Sequence, residues 1–352
     1  MMVEVADVSS PVEEDLRLEW RSWREVLRLA EESASPESWS YLNGRFCLFV
    51  RPSGDESKLS APQRRALITW LGRLACPVVA LAPYGTFGDA LLESCDALVA
   101  DEREAALVLR NVQRSPIAAL IFVQVMRATA LIPIEDGLRM ESLAYSSLQE
   151  GPEFKRWRES GEEVPEAVED SEPPVMLDRE DDRLLVWLNR PEARNALNIG
   201  MRDGLIEAFD LVNTDPAIRS AVVSGIGKCY SVGGDLAEFG QRPDPATAHV
   251  VRTVHNPALS LLRCAQRVDF QVHGACIGSG AELPAFGRRL IAKSGAYFQL
   301  PELRLGLIPG SGGCVSLPRR IGRQRTALLV LSGKRLPARE ALDWGLVDEI
   351  VD

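Results

Sequence analysis

Two glutamates in the second half of a 352-residue chain, Glu282 and Glu302, sit in stretches of small and apolar residues. A pair of carboxylates bracketing one space is what acid–base work on a water and a carbon needs. Glu302 follows a proline in YFQLPELRLGLIPGSGG at 297–313, an apolar setting where a carboxylate is costly unless it is solvated, paired or used. The plainer alternative is a helix-start glutamate facing solvent. Glu282 follows Gly-Ser-Gly-Ala in HGACIGSGAELPAFG at 273–287, in the first turn of an expected helix, where a glutamate is also an ordinary choice. Their joint placement in small-residue loops lifts both above these alternatives.

A second chemistry is carried by backbone. CYSVGGDLAEFG at 229–240 and HGACIGSGAELPAFG at 273–287 each place small residues where the chain leaves a strand, so backbone N–H groups can approach a ligand closely. At the second junction a helix is expected to open around Ala281, with Pro284 tolerated in its first turn and its positive end turned into the loop. Two such loops converging would make an oxyanion hole, in which one donor is worth about 3–4 kcal/mol of barrier. Taken singly, each is also ordinary turn chemistry. The aromatic residues nearby, Tyr230, Phe239 and Tyr297, read as core rather than as substrate contacts.

The elements that must position these loops follow from periodicity. A strand at Leu184–Leu188, a helix from about Ile199 to Val212 and a strand at Ala221–Ser224 precede the first loop. A helix near Ala246–Cys264 and a strand at Asp269–Val272 precede the second. Strand and helix alternating in this way predict an α/β fold. In the first half, Asp101 to Arg158 has apolar residues at helical spacing and reads as mostly helix. Between the halves, ESGEEVPEAVEDSEPPVMLDREDD, from Glu159 to Asp182, is rich in like charge and proline and favours an extended linker. The predicted organisation is an N-terminal region at 1–158, an acidic linker at 159–174 and a catalytic domain at 175–352, in line with the about two domains expected of such a length.

Composition narrows the classes. Net charge is −10 with no basic run, so the footprint of nucleic-acid binding is missing. Seven cysteines lie at 47, 76, 95, 229, 264, 276 and 314 without a C-x-x-C pair, which argues against a disulfide framework or a zinc ribbon. His249 and His255 have no further ligand near in sequence, so no metal is expected. No stretch reaches the roughly 18 consecutive apolar residues of a membrane span, and the opening MMVEVADVSSPVEEDLRLEW is acidic where a secretory signal is basic. A cytoplasmic protein is expected.

RPEARNALN at 190–198, SVGGDL at 231–236, HGACIGSGAEL at 273–283 and LPELRLGLIPGSGG at 300–313 occur in an order and spacing that resembles the crotonase (enoyl-CoA hydratase/isomerase) superfamily, over about half of the chain. The resemblance implies a spiral of ββα units, the crotonase (ClpP-like) fold. It also implies an oxyanion hole for an acyl-CoA thioester made by the backbone N–H groups of Gly234, just before Asp235, and Ser279. Serine stands where the family usually has glycine. The two glutamates that hold the added water in hydratases of this family match Glu282 and Glu302, with Glu302 exchanging the proton next to the thioester and Glu282 activating the water. Ala193, Arg194 and Ala196 match the stretch lying against the adenine end of coenzyme A, and Asp235, Leu236 and Gly278 match further substrate-binding positions; arginine suits phosphate geometry, though Arg194 could equally be a solvated loop residue. Coenzyme A enters as part of the substrate, with no separate cofactor, and the family assembles as homo-oligomers, trimers or dimers of trimers.

The sequence departs from the family in one respect. Past a GLVDEIVD-like segment family members continue into further helices, whereas this sequence stops at Asp352. SPIAALIFVQVMRATALIPIEDGLRMESLAYSSLQEGPEFKRWRE at 115–159 resembles those helices displaced to the front, and CPVVALAPYGTFGDALLESCDALVA at 76–100 resembles a shortened second oxyanion segment without the matching glutamate. The expectation is a degenerate, inactive unit whose helices serve the active one. Hydration of a 2-enoyl-CoA leads; isomerisation or thioester hydrolysis on the same scaffold, and a non-catalytic acyl-CoA-binding or assembly subunit, are the competing functions.

Overall fold

Aliphatic runs buried on both faces, such as Val78-Val79-Ala80 and Ala221-Val222-Val223, make the middle strands of two separate parallel sheets. The computed structural model describes residues 18–32, 35–84, 86, 88–160, 166, 168–241 and 244–352. The opening segment and part of the predicted linker, 161–165 and 167, lie outside the described residues.

The first sheet has four parallel strands in sequence order, Trp20–Arg21, Leu48–Val50, Val78–Leu81 and Ala97–Val99. Helices Trp23–Glu32 and Ala61–Leu71 cover it, with their own apolar cluster around Trp23, Leu67 and Trp70. Four helices follow, as the periodicity predicts: Glu102–Arg114, Pro116–Thr129, Ile134–Gln149 and Pro152–Glu159. The segment at 76–100 forms a strand, a loop, the short helix Ala90–Ser94 and a strand.

The second half builds a six-stranded sheet in the order Glu349–Val351, Arg289–Lys293, Val268–Val272, Ser220–Gly225, Arg183–Leu188 and Val175–Glu180, parallel except for the last pair. A small sheet of Leu336–Pro337, Tyr297–Gln299 and Ala275–Ile277 lies beside it. Val268–Val272 runs on into Ala275–Ile277 and a helical turn; Arg289–Lys293 runs on into Tyr297–Gln299 and another. These are the repeated ββα units of the expected crotonase fold.

Three local expectations change. The end of the acidic stretch is an edge strand, Val175–Glu180, folded back on Arg183–Leu188 through a turn at Asp181 (φ 52°); only Val175 is buried, so the charges stay in water. The helix predicted near Ala246–Cys264 is two helices, Pro245–Val254 and Pro257–Cys264. Pro257 has no N–H, and the Asn256 side chain caps the second helix at Ala258 N. The helix expected from Ala281 opens instead at Ser279 and lasts one turn, to Glu282. Pro284 cannot donate to the Gly280 carbonyl, and a 3-10 turn at Pro284–Phe286 follows.

The two halves share one core. Phe122, Met126, Leu138 and Phe154 from the first half join Leu303, Ile308, Val315 and Leu329 from the second in a single apolar cluster. Ser115 Oγ donates to Leu303 O (2.6 Å), Thr129 Oγ1 to Cys314 O (3.1 Å) and Asn111 Nδ2 to Leu331 O (3.1 Å). Among the described residues no single helix is long and apolar enough to cross a membrane.

Candidate active site

The two glycine-bearing loops are joined backbone to backbone. Ser231 N–H donates to Ala275 O (3.1 Å) and Ile277 N–H to Ser231 O (3.0 Å). A Cβ at Gly233, whose φ is +98°, would stand 3.0 Å from Ile277 O, so only glycine lets the loops close to this spacing. Among the described residues neither Gly234 nor Ser279 gives its N–H to a protein acceptor, although the N–H groups of Gly233, Asp235 and Gly278 beside them are bonded. Ser279 Oγ is buried and also without a partner. Two free backbone donors therefore sit side by side at the junction of two loops. With a helix of one turn behind Ser279, the donors themselves, rather than a macrodipole, are what this site offers an anion.

Both glutamates look into the space beside these loops. Glu302 opens a 3-10 turn, Glu302–Leu305, where Pro301 directs it inward, and it is 8% exposed. The solvent-facing alternative is thereby excluded. Glu282 ends the turn after Ser279 and is 2% exposed. A Cβ on Gly278 would lie 3.1 Å from Glu302 Oε1 and 3.9 Å from Glu282 Oε1, so both carboxylates border the gap that the absent side chain leaves.

Their environments differ. Glu282 Oε2 accepts from Ser311 N (2.7 Å) and Gly313 N (2.9 Å). Burial drives its pKa up to about 7, against the pull of these donors and that of Gly310. Glu302 Oε2 is buried without a hydrogen-bond partner. Burial, then the neighbouring charge of Glu282, raises the Glu302 carboxyl well above the ordinary range, and Glu141 adds to it.

Glu141 is the residue that the sequence reading missed. It lies on Ile134–Gln149 in the first half, is 2% exposed, and accepts from Gly312 N (2.7 Å) and Cys314 N (2.8 Å). Four consecutive N–H groups at the start of Gly313–Ile321 are thus shared alternately: 311 and 313 to Glu282, 312 and 314 to Glu141. Helix N-termini favour such acceptors. Burial and the charge of Glu282 hold the Glu141 carboxyl well above its usual range. Its only sequence signal was its place in a helix resembling those that follow the family's catalytic segment.

A cavity of about 500 Å³, well within the range of ligand pockets, is lined by Gly234, Leu236, Gly278, Ser279, Glu282 and Glu302. Arg194 reaches its wall from a left-handed turn (φ 52°) held by Asn195, which bonds Arg190 N, Ile226 O and Cys229 O. Ala193 and Ala196 do not line it. Asp235 borders an adjoining cavity of about 250 Å³, and its carboxylate is tied to Arg190 Nη1 (2.9 Å). Phe239, read as core, does line the main cavity; its ring stands where a Cβ on Gly234 would be, 2.9 Å away, and packs edge-on against Trp157. Tyr145 and Trp157 complete the wall from the first half. Among the described residues no cluster of His, Cys, Asp and Glu is placed to hold a metal ion.

Residues 180–352 match the family model described as enoyl-CoA hydratase/isomerase. The chain is 32% identical over 176 residues to 2,3-dehydroadipyl-CoA hydratase of Escherichia coli (strain K12), which covers 50% of this chain and 68% of that protein. It is 36% identical to 1,2-epoxyphenylacetyl-CoA isomerase of the same organism, over 48% of this chain and 66% of the relative. A solved enoyl-CoA hydratase structure from Thermoplasma volcanium GSS1 aligns with 51% of this chain and 73% of its own, at 36% identity and a TM-score of 0.48. The matches thus span about half of this chain and about two thirds of these two relatives.

Proposed function

The chain belongs to the enoyl-CoA hydratase/isomerase family, and from that premise we propose that it adds water across the 2,3 double bond of an acyl-CoA thioester. The observation that carries the reading is that Glu282 and Glu302 border one buried space beside two unspent backbone donors. An isomerase needs one proton carrier; hydration uses two carboxylates.

In this reading the thioester oxygen accepts from Gly234 N–H and Ser279 N–H, which stabilise the enolate as it forms. Glu282, the more acidic of the pair because backbone donors hold its Oε2, takes a proton from water through its other oxygen. The water oxygen bonds to the third carbon, and the double-bond electrons move onto the thioester. Glu302 has no donor to stabilise its anion and stays protonated, so it delivers the proton to the second carbon. Proton exchange between the carboxyls and solvent restores both. Arg194 at the cavity mouth suits a phosphate of coenzyme A. The first half supplies Tyr145 and Trp157 to the pocket wall and Glu141 to the helix start that also holds Glu282, which supports its role as an inactive unit serving the active one.

The test is incubation with a panel of 2-enoyl-CoA thioesters in water enriched in heavy oxygen. Loss of the conjugated absorbance with gain of one labelled water is the expected result. Migration of the double bond without uptake of oxygen would replace hydration by isomerisation, and release of free coenzyme A would replace it by hydrolysis.

A further inference from the structure

Arg252, on Pro245–Val254, lines both the main cavity and the adjoining one. It is half-buried, and its hydrogen bonds among the described residues are all with neutral groups. Nε donates to Ser142 Oγ (3.3 Å), and Nη2 donates to Ser146 Oγ and to Gln149 Oε1 (3.3 Å). The guanidinium lies over the Tyr145 ring, 4.8 Å from its centre. Among the described residues Nη1 has no hydrogen-bond partner, so part of a five-donor fork is unspent.

Two other arginines with little solvent exposure are treated differently. Arg190 is held between Asp170 and Asp235, and Arg127 is paired with Asp96. A desolvated cation that the protein leaves without a counter-ion is costly. Three polar side chains from Ile134–Gln149 and one ring nevertheless fix this one in place. The same Tyr145 ring abuts Gly310, next to Ser311, whose N–H holds Glu282. Arg252 is therefore about one aromatic ring removed from the loop that holds Glu282.

We propose that Arg252 is a specificity residue that selects acyl-CoA thioesters whose chain ends in a carboxylate. The anionic tail completes the ion pair that the protein leaves open, and a planar carboxylate matches the guanidinium fork. This rests on the reading of the cavity as an acyl-CoA pocket and deepens it.

The test measures equilibrium binding of saturated acyl-CoAs, which cannot react, in two series of four to eight carbons: one ending in methyl, the other in carboxylate. Native protein is expected to bind the carboxylated member about tenfold or more tightly at one chain length. Arg252→Met is expected to abolish that ratio while binding the methyl series as before, and Arg252→Lys to keep part of it. Absence of a carboxylate preference at every length in the native protein overturns the proposal, even if Arg252→Met does not fold. Equal weakening of both series by Arg252→Met also overturns it, since the arginine would then serve the phosphates common to all the ligands. Because no turnover is read, a clear preference alongside inert enoyl-CoAs would sink the hydratase reading and leave this one standing.

Discussion

Two buried acidic centres in this molecule are built from the same chemistry and supplied in opposite ways. In the first half, Asp96 is 1% exposed and accepts from Val78 N (2.8 Å), from Arg127 through both oxygens (2.9 and 2.6 Å) and from Arg323 (3.2 Å). In the second, Glu282 and Glu302, joined by Glu141, form no ion pair among the described residues and have at most backbone N–H groups for company. Fixed cations on both oxygens commit this carboxylate to holding structure; Arg323 lies in the other half, so Asp96 also pins the halves together. Backbone dipoles, or nothing, leave the proton exchangeable. The counter-charge separates a centre that holds structure from the one proposed to react.

Removing the unpaired member tests the reactive side hardest. Glu302→Gln keeps the size of the side chain but cannot act as a general acid, so hydration should fall about 10³-fold while a saturated acyl-CoA still binds. A loss of only a few-fold, in single-turnover measurements, would remove Glu302 from the chemistry. Asp96→Ala should have the opposite profile. It leaves Arg127 and Arg323 facing a void and should cost about 3–5 kcal/mol in denaturant titration, with turnover per folded molecule retained.

Glu141 lies between the two kinds. Glu141→Gln should lower turnover about tenfold by loosening the Gly312 and Cys314 donors. It also removes a charge that raises the Glu302 pKa. The limb of the pH–rate profile on which activity is lost as the acid deprotonates should then move to lower pH; an unmoved limb would reduce Glu141 to a helix cap.

The raised carboxyls also make stability depend on pH. Glu282 titrates near 7 when folded and near 4.5 when exposed, so between those values the folded state binds more protons and stability falls as pH rises. Melting temperature should decline over that window, and Glu282→Gln should flatten part of the decline. The smallest effect belongs to Ser279→Gly. The donor there is backbone, so turnover should change little, and any change in preference among acyl chains would report the buried hydroxyl.

Much of the candidate site was legible because it is local. Gly234 precedes Asp235, and Ser279 lies three residues before Glu282; the loops that carry them announce themselves by small residues, and Glu302 by a carboxylate in an apolar run. The strands and helices around them followed from periodicity, except where proline broke a helix at 257 or ended one before 284, and where an acidic edge strand at 175–180 imitated a linker. Glu141 reads locally as an ordinary polar position on an amphipathic helix, and Arg252 likewise; Phe239 reads as core.

From its sequence alone this protein has its family, its α/β repeat and the pair of glutamates, because each depends on residues close together in the chain. Tertiary structure decided that Glu141, 141 residues before Glu282 in sequence, shares a helix N-terminus with it, that Tyr145 and Trp157 wall the pocket, and that Asp96 is paired while Glu302 is not. Those outcomes turn on which charges and donors the folded chain brings within a few ångströms. Burial sets the cost of a charge, and only packing determines what is there to meet it.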